Sequence, residues 1–334
     1  MKVRIGILGA GGWGTALSLL LNRNGHDVEL WEFQPGYAEI LGRTRRNPDF
    51  LPGVEIPDEV RITSDLDSAV AGKDVLLITV PSHVVRSVAG RIAADRVGDA
   101  VVVSASKGIE NGSLLRMSQV LSASIGGLPA DRIVALSGPS HAEEVSRGMP
   151  TVVVAASSSD ASARRMQGIF RSPDFRVYTS SDVVGVELGG SFKNIIAIAA
   201  GISDGVGFGD NTKAAIMIRG IVEMTRLGVA MGADPRTFAG LSGMGDLIVT
   251  CTSRHSRNRY VGERIGAGES LDEVLRGMKM VAEGVRTTRS AMDLAWRHSV
   301  DMPITSEVFE ILFNHKNPKQ AVTDLMNRDP KAEG

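Results

Sequence analysis

A doubly wound α/β sheet followed by an all-α C-terminal domain is the fold class that this 334-residue sequence predicts. Near the N-terminus a glycine-rich turn separates an apolar run from a helical segment, and β-branched runs then alternate with helical segments as far as about Tyr178. After Ser180, long amphipathic segments follow one another with no clear strand. We therefore expect residues 1–182 to form a domain on a parallel sheet and residues 183–334 to form a helical domain, with a ligand cleft between them.

The glycine turn follows the apolar run Val3 to Leu8 and opens an amphipathic segment from Thr15 to Leu21. In a Rossmann-like dinucleotide site one glycine makes the tight turn, a second lets the backbone approach a pyrophosphate, and a third lets the helix pack closely on the strand. The residues at these three positions are Gly9, Gly11 and Gly14. Because a glycine-rich turn after any buried strand could match by accident, the pattern alone is weak.

The residues after the turn favour a dinucleotide site. Asn24-Gly25 ends the helix as a C-cap does, and a second apolar run, Asp27 to Trp31, leads to Glu32. Glu32 stands at about the distance at which an acid accepts the ribose 2′-hydroxyl, and Phe33-Gln34-Pro35 adds no cation for a 2′-phosphate, which favours NADH. Three arginines in the next segment could instead fold back over the adenosine end and favour NADPH. They are Arg43, Arg45 and Arg46.

Apolar periodicity predicts the remaining elements. The further strands are Val75 to Val80, Ala100 to Val103, Arg132 to Leu136 and Thr151 to Ala155. The helices between them are Val84 to Ala94, Leu114 to Ser124 and Ala161 to Phe170. The proline-containing segment Arg43 to Pro57 is interpreted as a long surface excursion. The helical half contains Leu188 to Ala200, Thr212 to Met231, Arg257 to Ala267, Arg286 to Arg297 and Ser306 to Phe313.

Composition excludes several classes of function. Apolar residues make up 43% of the chain and the formal net charge is -1, which gives no general affinity for nucleic acid or anionic membranes. A single cysteine, Cys251, excludes an intrachain disulfide and a multi-cysteine metal site, and we expect it to be buried. The glycine turn interrupts the N-terminal apolar run, and no uninterrupted run approaches the roughly 20 residues that span a bilayer. We expect a cytoplasmic protein with no membrane insertion and no nucleic-acid partner.

Two polar segments follow predicted strands. Ser106-Lys107-Gly108 comes after Ala100 to Val103, which places an ammonium at the ligand-binding edge, although a solvated loop lysine is the simpler interpretation of this segment by itself. Ser137-Gly138-Pro139-Ser140 follows the next strand. Its backbone bend and hydroxyl could meet the same ligand, or the segment could be a turn that merely starts a helix.

Lys193 is the strongest candidate for chemistry. It lies in a segment from Leu188 to Gly201 that is apolar or small on nearly every face, where a lysine is rare unless it has a function. Burial and a neighbouring cation lower the pKa of a lysine, which makes it a proton donor and acceptor near neutral pH. The alternative is a lysine whose ammonium reaches water.

Two further clusters lie in the helical half. Gly243-Met-Gly-Asp246 puts a carboxylate beside flexible backbone, where Asp246 could orient a lysine or simply cap a helix. Arg254-His-Ser-Arg-Asn-Arg259 is the densest positive cluster, and Ser256, Arg257 and Asn258 at a helix start supply the donors that a phosphate needs. A solvated helix end or an RNA-contacting patch could give the same run, but the neutral charge and few aromatic residues argue against RNA.

The chain resembles the NAD(P)-dependent sn-glycerol-3-phosphate dehydrogenase family over essentially its whole length. The matching segments are Gly6-Ile-Leu-Gly-Ala-Gly-Gly-Trp-Gly-Thr-Ala16, Val80-Pro-Ser-His83, Ser106-Lys-Gly108, Ser137-Gly-Pro139, Val186-Glu-Leu-Gly-Gly190, Phe192-Lys-Asn194, Leu241-Ser-Gly-Met-Gly-Asp-Leu247, Ser256-Arg-Asn-Arg259, Val281-Ala-Glu-Gly284 and Met302-Pro-Ile-Thr305. The resemblance implies a cytoplasmic, usually dimeric enzyme that interconverts glycerol 3-phosphate and dihydroxyacetone phosphate with NADH or NADPH and supplies the backbone of membrane phospholipids. It requires no metal, because lysines serve as the electrophile.

The resemblance also assigns residues by position. Lys193 corresponds to the proton acceptor. The substrate-contacting positions are Lys107, Gly138, Ser140, Lys193, Asp246, Ser256, Arg257 and Asn258. The cofactor-contacting positions are Gly12, Trp13, Phe33, Lys107, Ala142, Arg257, Val281 and Glu283, in addition to Gly9, Gly11, Gly14 and Glu32 from the residue pattern. Val281 and Glu283 rest on the resemblance alone, since by themselves they belong to an ordinary helix-entry loop.

Two other functions fit the same two-part plan. A dehydrogenase of a 3-hydroxy acid would also use a lysine on a helix, but its substrate carboxylate would not need the cluster Ser256 to Asn258. A non-enzymatic module that senses a dinucleotide by domain closure would not need a buried lysine in the helical half.

Overall fold

A computed structural model describes residues 2–330 and residue 332 of the chain. It contains two sheets, and the fold class predicted from the sequence is confirmed. The strands are β1 (Arg4–Leu8), β2 (Asp27–Trp31), β3 (Arg46–Asn47), β4 (Leu51–Glu55), β5 (Arg61–Thr63), β6 (Val75–Ile78), β7 (Val101–Ser104), β8 (Ile133–Ser137), β9 (Thr151–Ala156) and β10 (Phe175–Ser180). All except β3 and β4 belong to one sheet in the order β10-β9-β8-β7-β6-β1-β2-β5.

The direction of the last two strands differs from the prediction of a parallel sheet. Strands β8, β7, β6, β1, β2 and β5 are parallel, whereas β9 pairs antiparallel with β8 and parallel with β10. Strands buried on both faces give similar apolar runs whichever way they point, so periodicity does not report direction. The helix between β8 and β9 has only four residues and packs beside the first helix of the fold. The chain therefore turns back at the cleft edge instead of crossing over the sheet.

Eight α-helices accompany the sheet strands in the described part of the N-terminal half. They are α1 (Gly12–Arg23), α2 (Pro35–Thr44), α3 (Leu66–Val70), α4 (Val85–Ala89), α5 (Ala94–Val97), α6 (Met117–Ser124), α7 (Ala142–Val145) and α8 (Asp160–Phe170). The predicted helix from Val84 to Ala94 is wrong as a single element, because a 3₁₀ turn precedes α4 and Gly90 ends it. Leu114 has φ 61°, a left-handed backbone that no helix accommodates, so α6 begins later than predicted.

The predicted surface excursion from Arg43 to Pro57 contains regular structure. Its first residues complete α2, and β3 and β4 then form an antiparallel hairpin of their own. Pro35 is the first residue of α2, where its fixed φ favours a helix start. This hairpin places Asp49 and Phe50 beside the glycine turn, on the wall of the cleft.

The C-terminal half is helical throughout its described part. The helices are α9 (Val183–Val206), α10 (Asp210–Ala230), α11 (Pro235–Phe238), α12 (Asp246–Thr252), α13 (Arg257–Gly266), α14 (Leu271–Arg276), α15 (Glu283–Arg297), α16 (Pro303–Asn314) and α17 (Pro318–Met326). A π-helical turn, Leu241–Gly245, leads directly into α12. Strand β10 ends at Ser180 and α9 begins at Val183, but the division into domains 1–182 and 183–334 stays a prediction.

Helix α9 is the centre of the helical half. It packs against α10, α12, α13, α15 and α16, and it also contacts β8. Its length and composition would allow it to cross a membrane, but 89% of its most apolar window is buried inside the protein. Burial of this kind identifies α9 as a core helix, so its apolar character is explained by the fold.

Candidate active site

A cleft of about 850 Å³ runs along the carboxyl ends of β1, β2, β6 and β7 and is closed on its far side by α9, α12 and α13. This is the edge at which an open α/β sheet binds its ligand. The predicted site residues all line the cleft except Gly14 and Gly138. Gly14 lies against Gly9 and Thr79, and the carbonyl oxygen of Gly138 accepts from Lys107 and Ser140, so both glycines contact residues that line the cleft.

The glycine turn forms one end of the cleft and fits a pyrophosphate. Gly9 has φ 118°, and a Cβ there would lie 2.9 Å from the backbone nitrogen of Val80, so only glycine fits this turn. A Cβ on Gly14 would lie 1.9 Å from the carbonyl oxygen of Gly9, which explains the close contact of α1 with the turn. Gly11, the N-cap of α1, has no side chain to cap the helix and no atom within 4 Å of where a Cβ would stand. The uncapped N–H groups and the open space fit an anionic pyrophosphate.

The part of the cleft predicted to hold the adenosine of the cofactor, here called the adenosine end, lies after β2. The Glu32 carboxylate accepts a hydrogen bond of 3.0 Å from the backbone N–H of Gln34. Burial raises the pKa of the Glu32 carboxyl, although neighbouring backbone N–H groups oppose the shift. The ring of Phe33 is 63% exposed and also lines the cleft. Glu32 and Phe33 therefore both line the part of the cleft that follows β2, and their contacts with a cofactor stay a prediction.

The three arginines considered for a 2′-phosphate lie outside the cleft lining. Arg45 turns its guanidinium to the carbonyl oxygens of Ile56 and Val60, and it also lies 3.4 Å from Asp58. Arg43 and Arg46 are exposed on the outer surface. The structure does not favour the alternative in which these side chains fold back over the adenosine end, because none of the three lines the cleft.

The opposite end of the cleft contains a buried cluster of two lysines and one aspartate. Lys193, only 7% exposed on α9, donates to Asp246 Oδ1 at 3.0 Å and to Thr250 Oγ1 at 2.6 Å. Lys107, in the loop after β7, donates to the other carboxylate oxygen of Asp246 at 2.6 Å and to the carbonyl oxygen of Gly138 at 3.0 Å. Asp246 therefore bridges two ammonium groups that come from different halves of the chain.

The charged groups of this cluster shift one another's pKa values. Burial lowers the pKa of Lys193 to about 8, against the stabilising effect of Asp246, and the nearby Lys107 lowers it further. Burial opposes the charged form of Asp246, but the two lysines outweigh it and hold the pKa of that carboxyl below its usual range. A lysine of this kind can both give and take a proton near neutral pH.

The local structure around Asp246 explains its position. The π-helical turn before α12 places Asp246 at the first residue of that helix, where a carboxylate interacts favourably with the helix N-terminus. A Cβ on Gly189 of α9 would lie 2.7 Å from the carbonyl oxygen of Ser242 in the turn. The missing side chain lets α9 approach the turn closely enough for Lys193, one helical turn further on, to reach the carboxylate.

The residues of the cationic cluster at the start of α13 make different contacts. Arg257 is exposed at the first turn of α13, lines the cleft and has no carboxylate partner among the described residues. Arg259 instead pairs with Asp204 at 2.7 Å. The Ser256 hydroxyl caps α13 by accepting from the backbone N–H of Arg259 at 3.2 Å. Arg257 and the helix N-terminus are therefore the part of this cluster available to an anion.

Other predicted site residues support the walls of the cleft. Asn258 donates to Asn194 Oδ1 at 2.9 Å and accepts from the backbone N–H of Gly284 at 2.9 Å, which ties α13 to α9 and α15. Ser140 donates to the carbonyl oxygen of Gly138 at 2.9 Å.

The remaining predicted positions complete the wall nearest the sheet. Glu283, at the start of α15, accepts from the backbone N–H and the hydroxyl of Ser82, at 2.9 and 2.5 Å. This contact joins the helical half to the loop after β6. The other lining residues predicted to contact the cofactor are Gly12, Trp13, Ala142 and Val281.

Sequence reasoning missed several residues that line this cleft. Thr250 follows Asp246 by one helical turn, and that i, i+4 spacing could have identified it. The rings of His141 and His255 lie 5.9 Å apart, and burial, with a contribution from Lys193, lowers the pKa of His141. Arg91 also lines the adenosine end.

Cys251 was predicted to be buried, and this is confirmed. It is 0% exposed on α12, and burial raises the pKa of its thiol to about 12. The residues that the structure describes contain no group of three histidine, cysteine, aspartate or glutamate side chains that could hold a metal ion.

Comparison with known proteins gives the same family for both halves of the chain. Residues 4–163 match the sequence model of the NAD-dependent glycerol-3-phosphate dehydrogenase N-terminus, and residues 182–323 match that of the C-terminus. The chain is 53% identical to a glycerol-3-phosphate dehydrogenase [NAD(P)+] of Prosthecochloris aestuarii, over 98% of this chain and 99% of the relative. A relative of the same description from Geobacter metallireducens is also 53% identical, over 100% of this chain and 99% of its own length.

Solved structures agree with the sequence relatives. A crystal structure of glycerol-3-phosphate dehydrogenase from Coxiella burnetii superposes with a TM-score of 0.93 at 37% identity, covering 98% of this chain and 99% of the other. A ketopantoate reductase from Ralstonia eutropha superposes with a TM-score of 0.60 at 17% identity over 96% of this chain and 99% of that one, which shows a shared fold only. The chain belongs to the NAD-dependent glycerol-3-phosphate dehydrogenase family.

Proposed function

We propose that this chain transfers hydride reversibly between NAD(P)H and dihydroxyacetone phosphate to give sn-glycerol 3-phosphate, with Lys193 as the acid and base. The observation that carries the proposal is the juxtaposition of a glycine turn fit for a pyrophosphate with a buried Lys193–Asp246–Lys107 cluster in one cleft. The family to which the chain belongs has the same activity in its name.

A nicotinamide bound in the cleft would supply the hydride to C2 of the substrate, and the residues of the chain would stabilise the charge that develops on the carbonyl oxygen. Protonated Lys193 stabilises that charge and delivers its proton, and Lys107 helps to polarise the oxygen. In the oxidising direction neutral Lys193 removes the hydroxyl proton. Asp246 holds both ammonium groups in position, at 3.0 Å from Lys193 and 2.6 Å from Lys107, and keeps them from drifting apart before substrate binds.

Arg257 binds the phosphate of the substrate in this proposal. It is the cleft-lining guanidinium at the start of α13, and the N-terminus of that helix adds free donors and a partial positive charge. Ser256 caps the helix and Asn258 ties it to its neighbours, so both fix the direction in which Arg257 points. A fixed phosphate holds C2 of the substrate at hydride distance from the nicotinamide.

A spectrophotometric assay tests the proposed function. Oxidation of NADH or NADPH is followed with dihydroxyacetone phosphate, with unphosphorylated dihydroxyacetone and with a 3-oxo acid. Rapid turnover of the phosphorylated ketone alone is the expected result. Preference for the oxo acid would identify the 3-hydroxy acid dehydrogenase, and binding of the dinucleotide without turnover of any substrate would identify the sensing module.

Four broader properties belong to the same proposal. We propose that the enzyme works in the cytoplasm as a homodimer and supplies glycerol 3-phosphate for phospholipid synthesis, with the dinucleotide bound by residues 1–182 and the substrate clamped by residues 183–334. The family resemblance supports these assignments, and a single buried cysteine is compatible with a reducing compartment. Light scattering should give twice the chain mass of 35.4 kDa, and a mass of one chain would contradict the dimer.

A further inference from the structure

Arg91 is the cleft-lining cation at the adenosine end that the mechanism does not use. It lies in the turn between α4 and α5, whereas Phe33 lies after β2. Its guanidinium carbon is 5.8 Å from the ring centroid of Phe33 and 5.8 Å from that of Trp31. The two rings meet edge to face with their centroids 6.1 Å apart. The arginine is thus held over a pair of aromatic rings by cation–π contacts.

The charge of Arg91 is not neutralised by a neighbouring carboxylate. Among the described residues no aspartate or glutamate lies within ion-pair distance of its guanidinium, and no side-chain hydrogen bond from it occurs there. Arg86, five residues earlier, differs in this respect because it donates to both carboxylate oxygens of Glu110, at 2.8 and 2.7 Å. Arg91 therefore keeps its five donors for a ligand.

The position of this free guanidinium matches one group of the cofactor. The residues after β2 are where the ribose 2′ position of a bound dinucleotide lies in this type of fold. Glu32 and Phe33 occupy that place, and Arg91 stacks on the outer ring of the two. A planar guanidinium is well suited to hold a phosphate, because it offers two parallel N–H donors.

We propose that Arg91 binds the adenosine 2′-phosphate of NADPH and is the residue that allows this chain to use NADPH as well as NADH. The inference rests on the proposed function only in that both place a dinucleotide in the cleft. The aromatic rings orient the guanidinium, and Glu32 opposes it by placing a carboxylate near the same ribose. The balance of these two charges sets the ratio in which the chain accepts the two cofactors.

Binding of cofactor fragments tests this role without requiring turnover. Calorimetry measures the Kd of adenosine 2′,5′-bisphosphate and of 5′-AMP, which differ only in the 2′-phosphate. In Arg91→Gln the ratio of the two affinities should shift against the bisphosphate by about tenfold, the effect of losing one charge-assisted contact. Arg91→Met keeps an unbranched stem against the rings and should show the same shift. Arg43→Gln, an exposed arginine outside the cleft lining, is the matched control and should leave both affinities unchanged.

The outcomes separate the possible roles of Arg91. An equal loss of affinity for both fragments in either folded variant would show that Arg91 stacks on adenine or only supports the loop, and would overturn the proposal. An unchanged ratio in both variants would do the same. If the ratio shifts while dihydroxyacetone phosphate is not turned over, the role of Arg91 stands and the proposed reaction fails.

Discussion

The two ends of the cleft differ in how far their charged side chains are buried and paired. At the substrate end the charged groups of the Lys193–Asp246–Lys107 cluster are paired and largely buried: Asp246 is 2% exposed and contacts two ammonium groups. At the adenosine end Phe33 is 63% exposed, and Arg91 has no carboxylate partner among the described residues. Buried charges interact strongly and are costly to separate, whereas exposed ones are screened. We expect changes at the first end to abolish function and changes at the second to tune it.

Lys193→Ala should give the largest effect. The variant removes the proton donor, so kcat should fall by at least about 100-fold, the contribution of a positioned acid or base. Dinucleotide binding should remain, because the glycine turn lies at the other end of the cleft. Stopped-flow or steady-state kinetics and a binding titration measure the two quantities. A folded variant that retains more than about a tenth of wild-type kcat would remove Lys193 from the mechanism.

Asp246→Asn tests whether a buried ion pair contributes more to stability than an exposed one. Removing the shared carboxylate leaves the buried ammonium of Lys193 unpaired beside the partly exposed ammonium of Lys107, which should lower the free energy of unfolding by about 3–5 kcal/mol. Asp58→Asn is the matched control, because it breaks an ion pair whose aspartate is 93% exposed, and it should cost less than about 1 kcal/mol. Denaturant unfolding measures both. Similar values for the two variants would contradict the comparison.

Arg257→Ala should act on the substrate phosphate. Loss of a charge-assisted contact of about 1.5–3 kcal/mol should raise KM for dihydroxyacetone phosphate by roughly 10- to 100-fold. Activity with unphosphorylated dihydroxyacetone should change little. Arg254→Ala removes a neighbouring exposed arginine outside the cleft lining and is the control. Equal losses on both substrates would mean that Arg257 has a structural role.

The pH dependence should be opposite in the two directions of reaction. Reduction needs protonated Lys193, so its kcat should be constant at lower pH and fall as pH rises through about 8. Oxidation of glycerol 3-phosphate needs the neutral amine, so its rate should rise over the same range. In a folded Asp246→Asn variant the loss of the carboxylate lowers the pKa of Lys193 further. The fall in the rate of reduction and the rise in the rate of oxidation should then both occur at lower pH. Parallel profiles in the two directions would rule out a single acid and base.

Glu32→Ser should give the smallest effect. Removing this carboxylate relieves its repulsion of a 2′-phosphate, which should improve NADPH use relative to NADH by about 1 kcal/mol at this partly exposed site. The measurement is kcat/KM for both cofactors in wild type and variant. A wild type that already prefers NADPH by tenfold or more would mean that Glu32 does not govern the choice.

The sequence predicted the features that depend on local chemistry. Lys193 was found because a lysine is rare in an apolar helix, and Gly9 because its turn excludes a side chain. The direction of β9 and β10 was missed, since strands buried on both faces have similar patterns whichever way they run. Arg91 was missed because its aromatic partners lie in a different β–α unit. Contacts between residues that are distant along the chain could not be predicted from the sequence.

The rate at which a thiol reagent labels Cys251 should report local opening of the protein around α12. The thiol is completely buried on α12, one and a half helical turns beyond Asp246, and its raised pKa keeps it protonated. A thiol reagent can therefore react only when α12 separates from the helices packed against it, since the thiolate is the nucleophile and needs both access and ionisation. The labelling rate of the unmodified chain measures how often the substrate end of the cleft comes apart, and bound substrate should slow it.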